Sequence, residues 1–343
     1  MTLQNSGPIS FGQIRDEFGL PPGKNLGAYR VSYSNTGQGG SLSGLPLDDG
    51  VPQSGTIAFS HFYGKRMNTV VDCYSGGTQT AANARDKYNN FSRTVVIGGY
   101  RSPKSSPNNE KIIVNVNKTF QGQKNGGRRK CSLRTGTYGN GIIFRVDIGS
   151  NGRIVGAGGD GGKGGSIGSG EGGKDGTSGL GLEQASENGT VVVANNGLIS
   201  AGYGGGGGGG GAHDHDAGKG GGRRRKASGG GGGGGAGLPA GEKGRGGTKG
   251  SQGSNGSDGG LNSAGSGGSG GNNDGEARGG RGGHGGRDGQ NSESGERGRG
   301  GEGSGSSGGV RGFNGAAIRT RSGVNFSVSG GTVRGSITGS GVQ

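Results

Sequence analysis

The sequence predicts a mostly β chain with polyglycine II and little α-helix. A small N-terminal anchor and β domain lead into a sandwich of packed polyglycine helices, which a C-terminal β hairpin closes. Three observations carry this. Glycine fills 99 of 343 positions and concentrates after about residue 150, in unbroken runs (Gly204 to Gly211, Gly229 to Gly235) and in Gly-Gly-X triplets. β-Branched runs bounded by Gly, Asn, Ser and Pro cluster before residue 150 and again near the C-terminus. Hydrophobic residues make up 24% and aromatics 5%, with no Trp, so no conventional core spans the whole chain.

The first element, 1–66, holds a short internal repeat. Ser6-Gly7-Pro8-Ile9-Ser10-Phe11-Gly12-Gln13-Ile14 is echoed by Ser54-Gly55-Thr56-Ile57-Ala58-Phe59-Ser60-His61-Phe62-Tyr63-Gly64. Between the copies lies a loop-like stretch, from Pro21 to Gly50, with little to bury. The segment reads as an anchor that completes its folding on a partner.

Residues 67–150 form a small β domain, with strands expected at Thr69-Val70-Val71, Thr94 to Ile97, Lys111 to Val116 and Ile142 to Ile148. A helix is expected over 80–88. The two cysteines, Cys73 and Cys131, fit no zinc spacing. They read as two thiols of a β domain, or as a disulfide formed after release from the cell.

From 151 to 312 glycine dominates. Fixing a glycine costs more backbone entropy than fixing any other residue, so order here requires backbone hydrogen bonds. An extended left-handed helix with three residues per turn points its N–H and C=O groups outward, where neighbouring helices can bond to them. A helix at the centre of such a lattice tolerates only glycine, which fits Gly204 to Gly211 and Gly229 to Gly235. An outer helix carries one side chain per turn, as at Asp160, Lys163 and Ser166. Arg278, Arg281, His284 and Arg287 keep the same register and predict a mostly cationic ridge with groups about 9 Å apart. Collagen is excluded by the 8 prolines, of which only Pro239 follows residue 150. Because the balance is close, the lattice needs folded β pieces at its ends.

Two stretches rhyme: Ser150 to Gly159 and Asn195 to Gly205 each read as an Asn-Gly turn, two apolar residues, then glycine. The closing segment, 313–343, has period-2 strands at Val324 to Val328 and Thr332 to Ile337. Ser329-Gly330-Gly331 between them signals a hairpin.

A net charge of +15 draws polyanions: nucleic acid, anionic membrane or acidic polysaccharide. The apolar runs are too short to span a bilayer, and no signal peptide is visible, so the expectation is synthesis in a cytoplasm without membrane insertion. No enzyme or cofactor motif is present. The glycine runs lack the Gly-Lys-Ser/Thr ending of a phosphate loop, and none of the 4 His residues stands beside a plausible nucleophile in a defined catalytic frame. His213-Asp214-His215-Asp216 carries metal-binding residue types. Neighbouring residues point different ways, however, so the reading is a polar loop tip with no metal. In the same interruption, Arg223-Arg224-Arg225-Lys226 suits phosphates or acidic sugars, with a merely solvated loop as the alternative. If the two glycine runs are adjacent, 212–228 is one loop at one end of the sandwich. The interruptions 180–188, 251–262, 272–276 and 288–296 are loops at either end.

Three of these stretches, in this order, resemble phage tail proteins. The paired Ser-Gly-x-Ile segments, with Phe59 to Gly64, are similar to a short N-terminal motif of phage virion proteins. Asn151 to Gly159 followed by Gly-Gly-X triplets resembles the glycine-rich part of tail-fibre and tail-tip proteins. Gly315-Ala316-Ala317-Ile318 with Val333 to Ile337 resembles the segment that closes such tails. Glycine tracts alternating with polar segments resemble the adhesins that cap the long tail fibres of T-even-type phages.

That resemblance implies a virion tail protein, made in the host cytoplasm, whose variable loops bind a host surface receptor such as an anionic polysaccharide or an outer-membrane protein. It implies virion attachment through Ile9, Phe11, Ile14, Ile57, Phe59, Phe62 and Tyr63, with other tail proteins as partners. It also implies receptor contact through 213–216 and 223–226. A structural tail or baseplate spacer built on the same sandwich is the alternative. An Arg-Gly-Gly nucleic-acid binder is a further one, but it lacks the interleaved aromatics such proteins use for base stacking, and no nucleic-acid partner is expected.

Overall fold

A computed structural model describes residues 3–18, 23, 25–30, 50–52, 54–66, 68–72, 78–85, 94–97, 100–103, 111–214, 225–273, 277–300 and 304–342. Three parallel sheets of five strands each form a three-sided β-solenoid, through which the chain visits the sides in turn. The first rung is Thr69–Asp72, Gln79–Thr80 and Ala82–Asn83; the second is Lys111–Val116, Thr119–Gln121 and Cys131–Arg134. The third is Ile143–Ile148, Arg153–Val155 and Ser178–Leu182, and the fourth Val191–Asn195, Leu198–Ser200 and Ile318–Thr320. Phe326–Ser329, Thr332–Arg334 and Gly339–Ser340 make the fifth.

Parallel stacking puts like residues over one another, and that is where the core lies. Val71, Val114, Val146, Val193 and Val328 stand in register on one side. Phe120, Ile154, Ile199 and Val333 do so on the second, and Ala82, Leu133, Leu180 and Ile318 on the third. The three columns meet in one apolar cluster. The rhyming Asn-Gly stretches are the same corner of successive rungs, with Ile154 paired to Ile199. Glycine is required there: a Cβ at Gly197 would sit 2.1 Å from the Gly152 carbonyl oxygen.

Two expectations are corrected. The C-terminal strands make no hairpin: Phe326–Ser329 pairs with Val191–Asn195, and Thr332–Arg334 with Leu198–Ser200, in two different sheets. A parallel column offered each strand a buried apolar partner, which a two-stranded hairpin cannot. The helix expected over 80–88 starts later than expected: Thr80 and Ala82–Asn83 are strand, Ala84 and Arg85 are helical, and 86–88 lie outside the described residues. Position 150 lies between Ile143–Ile148 and Arg153–Val155 of the third rung, and position 312 lies in the glycine region before Ile318–Thr320.

The glycine region enters as two excursions between the second and third sides of rungs three and four, residues 156–177 and 201–317. Its segments bond through backbone amides at every third residue. Gly206 donates to Gly233 O and Gly209 to Gly230 O, both at 2.8 Å. The segment 204–211 is surrounded on all sides. Besides 229–235, its bonded neighbours are 159–165 (Gly162 N to Gly206 O, 2.9 Å), 168–174 (Gly208 N to Glu171 O, 2.9 Å) and 280–286 (Gly283 N to Gly207 O, 2.8 Å). Segments 293–296 (Gly210 N to Glu296 O, 2.9 Å) and 309–315 (Gly309 N to Gly208 O, 2.7 Å) complete the ring.

The segment 229–235 is enclosed in the same way. It shares 159–165 and 280–286 with the first, and adds 241–247 (Gly244 N to Gly232 O, 2.8 Å), 254–260 (Gly231 N to Ser254 O, 2.9 Å) and 265–271 (Gly268 N to Gly231 O, 2.7 Å). These contacts arrange the segments in three layers, with 254–260, 229–235, 204–211 and 309–315 as the middle one. The two unbroken glycine runs are its interior. A Cβ at Gly207 would lie 2.0 Å from Gly309 O, and one at Gly232 2.1 Å from Gly206 O, so side chains are excluded there.

The N-terminal segment makes a small core of its own from Leu3, Ile14, Phe18, Tyr29, Val51 and Phe62. The repeat seen in sequence is repeated in structure. Gly7 (φ +86°) and Gly55 (φ +75°) open the two copies in the left-handed region. Phe11 and Phe59 then pack edge-on, with centroids 6.3 Å apart, and Ile14 and Phe62 both go inside. Gln13 Oε1 accepts from Ser10 N at 2.7 Å, and in the second copy His61 Nδ1 accepts from Ala58 N at 3.0 Å, which caps both helical turns alike. Tyr29, from the stretch expected to bury little, is fully enclosed.

Candidate functional site

The solenoid roots the glycine layers at one end, so their turns fall into two sets. Those at 236–241, 260–263, 287–290 and 313–315 lie beside the solenoid. Those near 167 and 250 lie at the far end, together with the described flanks 212–214, 225–228, 272–273, 277–278, 299–300 and 304–305. At that far end the extended glycine backbone gives way to short antiparallel strands. Ala212–His213 pairs with Lys226–Ala227, so that His213 faces Lys226. Asn272–Asn273 pairs with Ala277–Arg278, which pairs with Arg299–Gly300. Bridges from Ala212 to Gly305 and from Ala227 to Ser251 join the two groups.

Side chains reinforce the union. Ser251 Oγ donates to Asn272 O at 2.7 Å, Ser306 Oγ to Ile167 O at 3.2 Å, and Asn273 Nδ2 reaches Lys226 O at 3.4 Å. His213 Nε2 and Ser304 Oγ stand 3.4 Å apart. The result is one polar, largely basic end face. Of the residues expected to read a receptor, His213, Asp214, Arg225 and Lys226 lie here, at the base of a single excursion closed by Asp214 N donating to Arg225 O at 2.9 Å. His215, Asp216, Arg223 and Arg224 lie outside the described residues. Asp214 is buried, with Oδ1 unbonded.

Sequence reasoning missed Lys249 and Arg299 on this face, and it placed Arg278 elsewhere, at the head of a ridge. All three sit where glycine triplets break off, but the triplets alone do not say at which end of the layers each break falls.

Arg278, Arg281, His284 and Arg287 do line one edge of a single segment, but the adjoining segment carries glutamates in the same three-residue step. His284 N donates to Glu293 Oε2 at 3.2 Å, with the imidazole Nε2 4.0 Å from that oxygen, and Arg281 N donates to Glu296 Oε2 at 3.4 Å. Arg287 Nε donates to Gln290 Oε1 at 2.7 Å. The edge is therefore a mixed lattice of charges. Antiparallel neighbours set that pairing, and no spacing within one segment reveals it.

The other interruptions divide. Asn272 and Asn273, the described part of 272–276, lie at the far end, and 251–262 and 288–296 run back along the layers to or from the solenoid end. Residues 180–188 belong to the solenoid, where Glu183 Oε2 accepts from Arg134 Nε at 3.1 Å. Among the attachment residues, Ile14 and Phe62 are interior, and Ile9, Phe11 and Ile57 pack against that core. Phe59 keeps an exposed edge, and the Tyr63 hydroxyl donates to Gly7 O at 2.5 Å.

At the solenoid end, burial pushes the Tyr203 phenol above its ordinary range, and its hydroxyl donates to Asp288 Oδ1 at 3.0 Å. Burial also raises the Cys131 thiol to about 12. Desolvation lowers the Arg319 guanidinium from its usual value, and Arg319 Nε donates to Arg128 O at 2.8 Å. Cys73 lies outside the described residues.

No family model matches the chain, and no curated protein matches it. Among solved structures, the chain is similar to the crystal structure of the gp37-gp38 adhesin tip complex of the bacteriophage S16 long tail fibre. The identity is 18% and the TM-score 0.35, over 82% of this chain and 87% of that chain.

Proposed function

We propose that the chain is a phage virion tail protein acting as a tail-fibre tip adhesin. In this reading the solenoid is the base, the glycine layers are a polyglycine II sandwich, and the far end face binds a host surface receptor. Bonding at every third residue and enclosure of the two pure runs support polyglycine II, because that helix has three residues per turn and outward-facing amides. The observation that carries the receptor reading is the convergence of all the far turns on one end. Separate interruptions, scattered in sequence from 167 to 304, become one continuous polar surface held on a backbone scaffold with no soft side chains inside.

Attachment to other tail proteins falls to the opposite parts. The N-terminal segment offers the exposed edge of Phe59, and the fifth rung has strands paired on one side only, an edge open to a partner. The proposed role is binding, without catalysis. The proposed location is the virion tail, after synthesis in the host cytoplasm. Among the described residues no helix is long and apolar enough to cross a membrane.

The test is a phage encoding this chain with 212–228 replaced by a Gly-Ser linker of equal length. Normal incorporation with at least tenfold weaker adsorption supports the adhesin. Normal incorporation with unchanged adsorption supports the spacer instead.

A further inference from the structure

We propose that a second site, in the cleft where the glycine layers meet the solenoid, binds an acidic sugar residue of a surface glycan. The cleft has a volume of about 430 Å³, and its lining includes Arg128, Tyr203, Arg287, Gln290, Asn291 and Phe313. That volume lies in the range of small-ligand sites, which run from about 300 to 1,000 Å³.

Phe313 supplies an apolar face: its side chain is 53% exposed, although it sits among glycines that exclude side chains. The Arg128 guanidinium lies 5.3 Å from the ring centroid and fixes one side of it. Arg128 is itself anchored, since its carbonyl accepts from Ser178 Oγ at 2.6 Å and from Arg319 Nε at 2.8 Å.

The polar groups are committed so that donors are left over. Gly204 N donates to Asn314 Oδ1 at 3.0 Å, and Asn314 Nδ2 donates to Asn291 Oδ1 at 3.0 Å, which leaves the Asn291 amide nitrogen uncommitted. Arg287 Nε occupies Gln290 Oε1, which leaves the Gln290 amide nitrogen and the terminal nitrogens of Arg287. The nearby carboxylate, Asp288, already accepts from the buried Tyr203 hydroxyl.

An aromatic face beside two guanidiniums and two amide donors, with the Gln290 and Asn291 amide oxygens already accepting, fits a ring that carries carboxylate or phosphate oxygens. Arginine pairs with either group bidentately. A neutral sugar would leave the guanidiniums unmatched. Nine residues of extended backbone, roughly 28 Å at the rise of such a helix, separate this cleft from the far end face, so the two sites act independently.

The experiment is a microarray of bacterial surface glycans, spanning neutral, uronic-acid and phosphorylated saccharides, probed with the full chain. The site predicts binding to acidic spots, at least tenfold weaker in Phe313→Ala and Arg128→Ala proteins of unchanged melting temperature. It also predicts that this binding survives replacement of 212–228, so it stands or falls separately from the adhesin reading. Relative strength on uronic-acid and phosphorylated spots identifies the anion. Equal binding to neutral and acidic glycans, no glycan bound, or binding untouched by both substitutions would overturn the proposal.

Discussion

The amide of Gly206 donates to the carbonyl of Gly233 at 2.8 Å, and neither residue has a side chain to add to the contact. The interior of the glycine region consists of such bonds. A Cβ at Gly206 would lie 2.0 Å from Gly283 O, and one at Gly233 2.0 Å from Gly265 O. Gly206→Ala and Gly233→Ala are therefore expected to cost about 3 kcal/mol or more each, the upper range of overpacking. Lys163→Ala, on an exposed outer edge, is expected to stay within about 0.5 kcal/mol. Thermal unfolding of the full chain compares the three.

In the solenoid, removing side-chain volume is the damaging change. Val146 and Ile199 are fully enclosed in adjoining columns. Ile199→Ala should cost about 2–5 kcal/mol, and Val146→Ala somewhat less because fewer methyl groups are lost. Ser327→Ala, on the outer side of the fifth rung, is the neutral control. Urea unfolding midpoints give the comparison.

Cys131 carries a pH signature. The residue is 2% exposed, and burial raises the thiol pKa from its ordinary 9.0 to about 12. An acid whose folded pKa is raised favours folding while it is neutral. That contribution is complete below about pH 9 and is lost as pH rises toward 12. At pH 8 the thiolate fraction is smaller than that of a free thiol by roughly a thousandfold. Labelling Cys131 with a thiol reagent should slow by that factor in the native chain and return to ordinary rates in denaturant. Fast labelling of the native chain would contradict the enclosure.

The N-terminal repeat separates folding from attachment. Phe62 is enclosed, so Phe62→Ala should cost about 3–5 kcal/mol within the segment. Phe59 is 40% exposed, so Phe59→Ala should leave stability nearly intact. If this segment joins the virion, Phe59→Ala lowers incorporation while the purified chain melts normally. Equal incorporation of the Phe59→Ala and unaltered chains would move attachment to the solenoid end.

Much of this architecture was legible because glycine runs admit so few environments. Gly204 to Gly211 and Gly229 to Gly235 read as interior on sequence alone, and the structure encloses both. The Asn-Gly rhyme around Ile154 and Ile199 was visible as a repeat, yet its meaning was not. Parallel columns pair strands separated by whole excursions, and Leu198–Ser200 leaves its rung for more than a hundred residues before Ile318–Thr320 resumes it. Local periodicity at 324–337 therefore suggested a hairpin, because a strand's pattern does not record which distant strand it meets. At the far end, His213 and Lys226 were found together because one loop holds them. Lys249 and Arg299 were missed because only the order of the layers brings them near. The cleft of Arg128 and Phe313 lay hidden for the same reason.

The central claim is that the glycine region is an ordered, backbone-bonded scaffold. Native-state hydrogen exchange of the full chain, read by mass spectrometry on peptides spanning 204–211 and 229–235, tests it most directly. Those amides are enclosed and bonded, so they should exchange at least a thousandfold more slowly than an unstructured glycine peptide and more slowly than 225–228. Exchange of both runs at the rate of the unstructured peptide would contradict the account.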